Sequence, residues 1–317
     1  MRLVVTGAAG FIGSSLSSAL LEDGHDVVGI DTFRKHYDTR RREMYVSRLT
    51  SHERFELTVL DLAADPLDGV VDGADAIFHL AGRPGVRDSW GGAFDDYAID
   101  NIVATRRVLD AAVHHEVPRI VYASSSSVYG ELGKRTQARE TDTLRPRSPY
   151  GVTKLAGELL ALTYQDNMGI DAVALRYFTI YGPGQRPDMA TQKFIEKSLR
   201  GEEIQVFGDG FQRRDVTFID DCVRATAAGL TLPPNVYNVA GGSVVTLNEI
   251  MDGIDAALGF RMKRIYTQAQ AGDVSVTSAD VSRLRAQGVD ADMPLSDGIK
   301  HQVEFTRNQV APLMSST

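Results

Sequence analysis

Residues 6–13 read Thr-Gly-Ala-Ala-Gly-Phe-Ile-Gly and join an apolar run, Arg2–Val5, to a stretch with helical apolar spacing. Glycine lets the backbone turn tightly and approach a pyrophosphate, while the first N–H groups of the helix point at the anion. Asp31 ends the next apolar run, where a carboxylate can bind ribose hydroxyls and repels a 2′-phosphate, which favours NAD over NADP. The residues predicted to bind NAD here are Gly7, Gly10, Phe11, Ile12, Gly13 and Asp31.

Apolar runs alternate with amphipathic stretches through the first half of the chain. The expected strands are Arg2–Val5, Val27–Asp31, Phe55–Asp61, Ala76–Leu80, Arg119–Ser124 and Ala172–Arg176. This alternation is typical of right-handed βαβ crossovers, and runs that are apolar throughout fit strands buried on both faces. The expected fold class is therefore α/β, with a doubly wound parallel sheet.

The pattern changes after residue 176, where glycine and proline interrupt the apolar runs. We expect residues 1–176 and about 216–242 to form the NAD-binding domain. Residues from about 177 to 215 and from 243 to 307 are expected to form a smaller substrate lobe, and residues 308–317 a frayed tail.

Composition excludes several functional classes. The formal net charge of −8 gives no electrostatic case for nucleic acid, and no apolar run is long enough for a membrane span. The single cysteine, Cys222, excludes an internal disulfide and a cysteine-based metal site, and we expect it to be a buried packing residue. The histidines show no metal-ligand spacing, so no metal is expected. The chain begins directly with an apolar strand, and we expect a cytoplasmic location.

Two further strand ends are candidates for the cofactor site. Asp61 and Leu62 follow the third expected strand and are placed to meet the adenine, while Leu80, Ala81 and Gly82 would pass the middle of the cofactor. Both are also ordinary strand ends, so this reading stays open. The basic residues after Asp31 could bind a phosphate, although a solvated or substrate-facing loop is the favoured interpretation; they are Arg34, Lys35, Arg40, Arg41 and Arg42.

Tyr150 and Lys154 lie four residues apart at the start of a predicted helix, so both face the same side. A tyrosine phenol has a pKa of about 10, which is too high for a base at neutral pH. A lysine ammonium and a positive nicotinamide ring both favour the phenolate and would lower this pKa. The run Ser124–Ser127, about 25 residues earlier, offers a hydroxyl that can orient a substrate oxygen. Together these residues predict proton abstraction from an alcohol coupled to hydride transfer to NAD⁺.

The chain resembles the extended short-chain dehydrogenase/reductase family over nearly its whole length. Besides Asp31, the motifs that carry the resemblance are GAAGFIG (7–13), HLAG (79–82), YASSSSVYG (122–130), SPYGVTK (148–154), RYFTIYGPGQRPDM (176–189), RRDVTFIDD (213–221) and YNVAGG (237–242). The resemblance implies a Rossmann-like domain, a bound NAD that Tyr150 and Lys154 also contact, and frequently a homodimer. Relatives that act on nucleotide sugars oxidise C4, turn the ketone over and reduce its opposite face.

The serine run separates branches of this family. Family 4,6-dehydratases carry an Asp-Glu pair at the positions of Ser126 and Ser127, and UDP-glucuronate decarboxylases carry Glu at the latter. The lack of a carboxylate here favours simple epimerisation. Alignment on Val128–Gly130 places the orienting hydroxyl at Ser125, so the implied catalytic group is Ser125, Tyr150 and Lys154.

The segments around Thr179 and Arg186 resemble the UDP-glucuronate 4-epimerases, in which a threonine and an arginine at these positions hold the C6 carboxylate. A guanidinium fork matches a carboxylate, although Arg186 could also pair with Asp188. Arg214 matches a family arginine that grips the diphosphate, while Gln270 stands where many relatives have a second one. The implied contacts of a UDP-sugar substrate are Arg87, Ser125, Ser126, Ser127, Thr179, Arg186, Arg214 and Asp273.

Alternative functions remain open at this point. The nearest is a 4-epimerase of UDP-glucose or UDP-N-acetylglucosamine. A nucleotide-sugar dehydratase or decarboxylase is less favoured because of the serine run. A regulator that binds NAD without chemistry is also less favoured, since such relatives usually lose the tyrosine or the lysine.

Overall fold

The computed structural model describes residues 1–33, 39–133, 135–242, 244–268 and 276–314. Within these ranges the strands are β1 (Arg2–Thr6), β2 (Asp26–Asp31), β3 (Phe55–Val59), β4 (Ala76–His79), β5 (Arg119–Ser125), β6 (Asp171–Tyr177), β7 (Thr179–Tyr181), β8 (Ile204–Phe207), β9 (Arg213–Phe218), β10 (Asn235–Val239), β11 (Val244–Thr246) and β12 (Arg264–Thr267). The α-helices are α1 (Phe11–Glu22), α2 (Thr39–Thr50), α3 (Asp68–Val71), α4 (Phe94–Ala98), α5 (Ala104–His114), α6 (Pro149–Met168), α7 (Ala190–Leu199), α8 (Ile219–Ala228), α9 (Leu247–Leu258), α10 (Ser282–Arg285), α11 (Leu295–Phe305) and α12 (Ala311–Met314). Two π-helical segments cover Ile99–Val103 and Thr306–Val310.

Seven parallel strands form the main sheet, in the order β10-β6-β5-β4-β1-β2-β3. All six strands expected from the sequence are present, and their ends lie within two residues of the expected ones. The order 3-2-1-4-5-6 is that of a doubly wound Rossmann-like sheet, and β10 adds a seventh strand beside β6. The predicted fold class is therefore confirmed.

Helices bury both faces of this sheet, which is why the strands are apolar throughout. On one face Leu16 and Leu20 of α1 pack in the largest buried cluster. On the other face Val108 and Leu109 of α5 belong to a separate cluster. Because all strands are parallel, the ends of β1, β4 and β5 lie at one edge of the sheet, where ligands bind in folds of this type.

Two small sheets follow from the second half of the chain. β9 pairs with β7 and β11, and β8 pairs with β12. We keep the division into a cofactor domain and a substrate lobe as a proposal. Across the described ranges, every helix is too short or too polar to cross a bilayer.

The C-terminal segment differs from the frayed tail expected for residues 308–317. The chain stays helical through Thr306–Val310 and on to Met314. Thr306 and Val310 are buried, and these two side chains anchor the segment. The expectation is wrong as far as residue 314, and residues 315–317 lie outside the described part of the chain.

Candidate active site

The glycine loop packs too closely against its neighbours for any side chain. Gly7 has a φ of +72°, and a Cβ there would lie 3.0 Å from the backbone of Ala81. A Cβ on Gly13 would lie 2.1 Å from the Gly7 carbonyl oxygen. The N-cap of α1 is Gly10, which has no side chain with which to cap the helix. The first N–H groups of α1 therefore face a cradle that fits a pyrophosphate.

Asp31 lies at the end of β2, where it is buried. Its carboxylate accepts hydrogen bonds from the N–H groups of Ala9 and Phe33, each at 3.0 Å, and forms an ion pair with Arg42. The Arg42 guanidinium also stacks over the Phe33 ring, 5.5 Å from its centroid. Two backbone donors and one arginine thus hold Asp31 where a ribose would meet it.

The basic stretch after Asp31 is not simply a solvated loop. Arg41 and Arg42 lie on α2 and are buried, each with a carboxylate partner. The expectation of a solvated or substrate-facing loop is wrong for these two residues, because helix formation turns their side chains inward. Arg34 and Lys35 lie outside the described residues.

The other predicted cofactor contacts lie at the ends of β3 and β4. Asp61 accepts a hydrogen bond from the N–H of Ala63 at 3.0 Å, and Leu62 is buried. The N–H of Ala81 donates to the Thr6 hydroxyl at 3.0 Å, which ties the end of β4 to the end of β1. These residues lie at the expected edge of the sheet, and their cofactor contacts stay predictions.

Sequence reasoning missed a buried polar chain behind this edge. The Thr105 hydroxyl donates to the Asn101 carbonyl at 2.7 Å, so the Nε2–H of His79 must donate to Thr105. His79 Nδ1 then accepts from the Thr6 hydroxyl at 2.9 Å. Burial lowers the pKa of His79 to about 3, so the ring stays neutral and keeps this tautomer.

Asn101 is a second residue that the sequence did not reveal. Its side chain accepts from the N–H of Arg83 at 2.6 Å and donates to the carbonyl of Arg83 and to the Thr153 hydroxyl. A Cβ on Gly82 would lie 2.8 Å from the Asn101 side chain. Asn101 therefore joins the loop after β4 to helix α6. A polar residue inside an otherwise mixed helix gives no sequence signal of this role.

The predicted catalytic residues lie on β5 and α6. Ser148 caps α6 by accepting from the N–H of Gly151 at 3.1 Å, and Pro149 occupies the first turn, so the helix begins just before Tyr150. Ser125 ends β5 and is buried. Its hydroxyl lies close enough to the Tyr150 phenol to lower the pKa of that phenol. The structure thus brings these two predicted residues together.

Burial has a larger effect than nearby charges on the pKa of the Tyr150 phenol. Desolvation raises the pKa of Tyr150, while the hydrogen bond from Ser125 and the charge of Arg186 act to lower it. The expected lowering of this pKa is therefore wrong for the chain by itself, because the loss of hydration outweighs the nearby charges. The sequence could not show that desolvation would outweigh the nearby charges at this partly buried residue.

The Lys154 ammonium packs over an aromatic ring. Its ammonium lies 4.5 Å from the centroid of the Tyr122 ring, a cation–π arrangement. It also lies 3.8 Å from the position that a Gly82 Cβ would occupy, so it reaches the cofactor edge of the sheet. Burial lowers the pKa of Lys154 to about 7, and the charge of Glu158 opposes this shift.

Glu158 is a third residue that sequence reasoning missed. It is fully buried one helical turn after Lys154, where it accepts from Ser124 at 2.5 Å and forms a bidentate ion pair with Arg176 at 2.6 and 3.0 Å. An acid in an otherwise apolar helix face, four residues from the lysine, is the signal that could have revealed it. The pair ties α6 to β5 and β6.

The predicted carboxylate-binding residues, Thr179 and Arg186, lie at the start of β7 and in the turn that follows it. Thr179 is half-buried at the start of β7, and Ser126 and Ser127 are half-buried after β5. Arg186 forms a bidentate ion pair with Asp188 at 2.8 and 3.0 Å, and its side chain is 21% exposed. Its charge nevertheless reaches the Tyr150 phenol.

The remaining predicted substrate contacts are less fully described. Arg87 stacks over the Phe207 ring, 5.4 Å from its centroid, and Arg214 donates to the carbonyl of Arg213 at 2.9 Å. Asp273 and Gln270 lie outside the described residues. The roles of these residues stay predictions.

One group of side chains among the described residues has the spacing of metal ligands. The ligand atoms of Asp68, His114 and His115 lie within 4.8 Å of one another on the surface. Both ring nitrogens of His115 already contact carboxylates, those of Asp68 and Asp72. This group lies outside the predicted site.

The chain is similar to known proteins over nearly its whole length. The sequence profile of the NAD dependent epimerase/dehydratase family matches residues 3–240. An uncharacterized UDP-glucose epimerase, YtcB, of Bacillus subtilis is 40% identical over 96% of this chain and 98% of its own. A UDP-glucuronate 4-epimerase of Thermodesulfobacterium geofontis is 34% identical over 98% of both chains. The crystal structure of UDP-glucuronic acid 4-epimerase from Bacillus cereus, in complex with UDP-glucuronic acid and NAD, is 37% identical, with a TM-score of 0.93 over 97% of this chain and 99% of that one.

Proposed function

Because the chain belongs to the NAD-dependent epimerase/dehydratase family, we propose that it is an NAD-dependent 4-epimerase that interconverts UDP-glucuronate and UDP-galacturonate. The observation that carries this proposal is Arg186, a side chain arranged for bidentate carboxylate binding, whose charge acts on the Tyr150 phenol. Similarity to UDP-glucuronate 4-epimerases over nearly the full chain supports the same substrate.

The residues at the cofactor edge fit NAD. The uncapped start of α1 and the glycine cradle suit the pyrophosphate, and Asp31 suits the ribose hydroxyls. Bound there, NAD would supply reversible hydride transfer at C4 of the sugar. Lys154 lies at the same edge, and Asn101 holds the loop after β4 in place through its bonds to Arg83.

Tyr150 is the group that moves the proton. Its phenolate takes the proton of the C4 hydroxyl and later returns it to the re-reduced oxygen. Ser125 hydrogen-bonds both this phenol and the substrate oxygen, which orients the reacting alcohol. Because burial raises the pKa of Tyr150, the phenolate depends on positive charge near it. The cofactor's oxidised nicotinamide would supply this charge in the loaded site, together with the fraction of Lys154 that is protonated near pH 7.

A glucuronate substrate adds a chemical hazard. Its 4-keto intermediate is a β-keto acid, which loses CO₂ readily when the C–C bond to the carboxylate aligns with the carbonyl π system. We propose that Arg186 and Thr179 hold the carboxylate out of this alignment. Arg186 is already arranged for bidentate carboxylate binding, since it holds Asp188 in this way. The sugar carboxylate would take the place of Asp188.

Product analysis tests the proposal directly. The purified protein is incubated with UDP-glucuronate, UDP-glucose and UDP-N-acetylglucosamine, and the epimers are separated by chromatography. We expect conversion of the acid sugar only, and its loss in Tyr150→Phe. Arg186→Ala should raise KM for UDP-glucuronate or release a UDP-pentose. Conversion of UDP-glucose in preference to the acid sugar would overturn the substrate assignment, and inertness with all three sugars would overturn the enzymatic function.

We also propose that the protein is a homodimer. Exposed apolar side chains cluster where the segment Ile99–Val103 packs against α6. They are Ile99, Val103, Val152 and Leu159, which are between 39% and 52% exposed. Light scattering after size-exclusion chromatography should give twice the chain mass, and Leu159→Lys should give the single-chain mass. A single-chain mass for the unaltered protein would refute the dimer. The cytoplasmic location stays a prediction from the sequence.

A further inference from the structure

Three buried glutamines lie within and beneath the turn that carries Arg186. Gln185 belongs to the turn itself, Gln192 lies on α7 and Gln302 lies on α11 near the C-terminus. Each is at most 1% exposed. We call these three residues the glutamine cluster. They bring residues more than 100 positions apart in the chain into direct contact.

The glutamine cluster fixes both ends of the turn. Gln302 accepts from the N–H of Gly182 at 3.0 Å and donates to the Gln185 side chain at 2.8 Å. Gln185 also accepts from the N–H of Gln192 at 3.1 Å and donates to the carbonyl of Ile180 at 2.8 Å. Arg186 is the next residue after Gln185, so the direction in which it leaves the turn is set by these bonds.

Each amide in the glutamine cluster can adopt only one orientation. Gln192 donates to the Glu196 carboxylate at 2.7 Å, and a carboxylate can only accept. Its oxygen therefore faces Gln302, whose amide nitrogen donates to it at 2.9 Å. The oxygen of Gln302 is then left for the N–H of Gly182. A flipped amide would place like groups together at several contacts.

The glutamine cluster is also connected to α2, which lies beside the predicted cofactor site. Glu196 forms a bidentate ion pair with Arg41 of α2 at 2.6 and 2.8 Å. Arg42, the next residue, pairs with Asp31. Buried polar side chains destabilise the folded state unless each is hydrogen-bonded, and apolar side chains could fill the same space without this requirement. The hydrogen bonds of the glutamine cluster instead fix the direction of the turn.

We infer that Gln185, Gln192 and Gln302 are positioning residues that hold the turn 182–186 so that Arg186 meets the carboxylate of the sugar acid. The inference rests on the proposed function, in which Arg186 binds that carboxylate. Gln302 acts from α11 without touching the substrate. Its contribution to substrate selection therefore passes through Gly182 and Gln185.

The test compares variants on one helix. Gln302→Met keeps the size of the side chain but removes all its hydrogen bonds to the turn. We expect KM for UDP-glucuronate to rise about tenfold, as for the loss of one charge-assisted hydrogen bond, with a smaller change in kcat. We also expect a larger share of UDP-pentose among the products. Thr306→Val removes only bonds to the edge of the cluster and should produce a smaller change in the same direction, which keeps the test usable if Gln302→Met does not fold.

Val303→Ala is the matched control. Val303 neighbours Gln302 on α11 and is fully buried, so its truncation lowers stability without touching the turn. The hydrogen bonds of the glutamine cluster do not involve the Val303 side chain, so KM and the product ratio should stay those of the unaltered enzyme. If Arg186→Ala changes KM or products while Gln302→Met and Thr306→Val behave like Val303→Ala, the positioning role is refuted. If Arg186→Ala itself changes neither, the proposed carboxylate site fails instead.

Discussion

Replacing Gly13 with alanine should release NAD while leaving most of the fold intact. The added Cβ would lie 2.1 Å from the Gly7 carbonyl oxygen and 2.8 Å from its carbon. Ordinary contact begins at 3.4 Å, so helix and loop must separate by roughly 1 Å. Overpacking of this kind costs about 1–3 kcal/mol.

The loop cannot take up this movement. The N–H of Gly7 donates to the Ile30 carbonyl at 2.7 Å, and a Cβ added to Gly7 would lie only 3.0 Å from the Ala81 backbone. The start of α1 must therefore move, and its N–H groups with it. A shift of about 1 Å breaks hydrogen bonds to a pyrophosphate, each worth about 1.5 kcal/mol or more. Loss of two such bonds weakens NAD binding at least about a hundredfold.

Gly69→Ala is the control for this experiment. Gly69 lies in α3, and no described residue places a heavy atom within 4 Å of its Cβ position. Alanine there should leave stability unchanged or raise it by up to about 1 kcal/mol. The measurements are NAD retained per purified chain, NAD titration of stripped protein, and thermal unfolding with and without NAD. Unchanged NAD affinity in Gly13→Ala would refute the reasoning about the cradle.

Three further predictions concern charged and reactive groups. Burial raises the pKa of the Cys222 thiol to about 12, so a thiol reagent at pH 8 should label the chain only in denaturant, and rapid labelling of the native protein would contradict this. Burial lowers the pKa of Lys154 to about 7, below its unfolded value, so from about pH 7 to pH 10 the unfolded chain binds a proton that the folded chain has released. The NAD-free protein should therefore gain stability across this range in denaturant titrations, and Lys154→Met should lose that gain; equal slopes would refute it. Arg42 offsets part of the repulsion between Asp31 and a 2′-phosphate, so Arg42→Ala should weaken NADP binding more than NAD binding in titrations of stripped protein, and the opposite order would count against this role.

The cofactor half of the site could be predicted because its signals are local. A strand, a glycine turn and a helix follow one another within residues 2–22, and Asp31 ends the next strand. The same holds for Tyr150 and Lys154, which share one helix. The glutamine cluster could not be predicted in this way, because Gln185 and Gln302 meet only through the packing of α11. Nor could the pairing of Arg41 and Arg42, since nothing in a basic run indicates which of its members turn inward.

The pKa of Tyr150 is the clearest example of a property that the sequence alone cannot predict. Spacing identifies Tyr150 and Lys154 as partners, and the sign of their interaction follows from charge alone. The net pKa shift depends on desolvation, which is set by neighbours from other elements, and in the chain itself desolvation prevails. The charge of Arg186 lowers the pKa of Tyr150, yet a sugar carboxylate bound to Arg186 would neutralise this charge. On the proposed mechanism the phenolate therefore depends on the oxidised cofactor, because the bound sugar acid removes the help of Arg186 and the nicotinamide would then carry the positive charge beside Tyr150. A site of this kind holds its base only while NAD⁺ is bound, and binding of the sugar acid alone works against the phenolate.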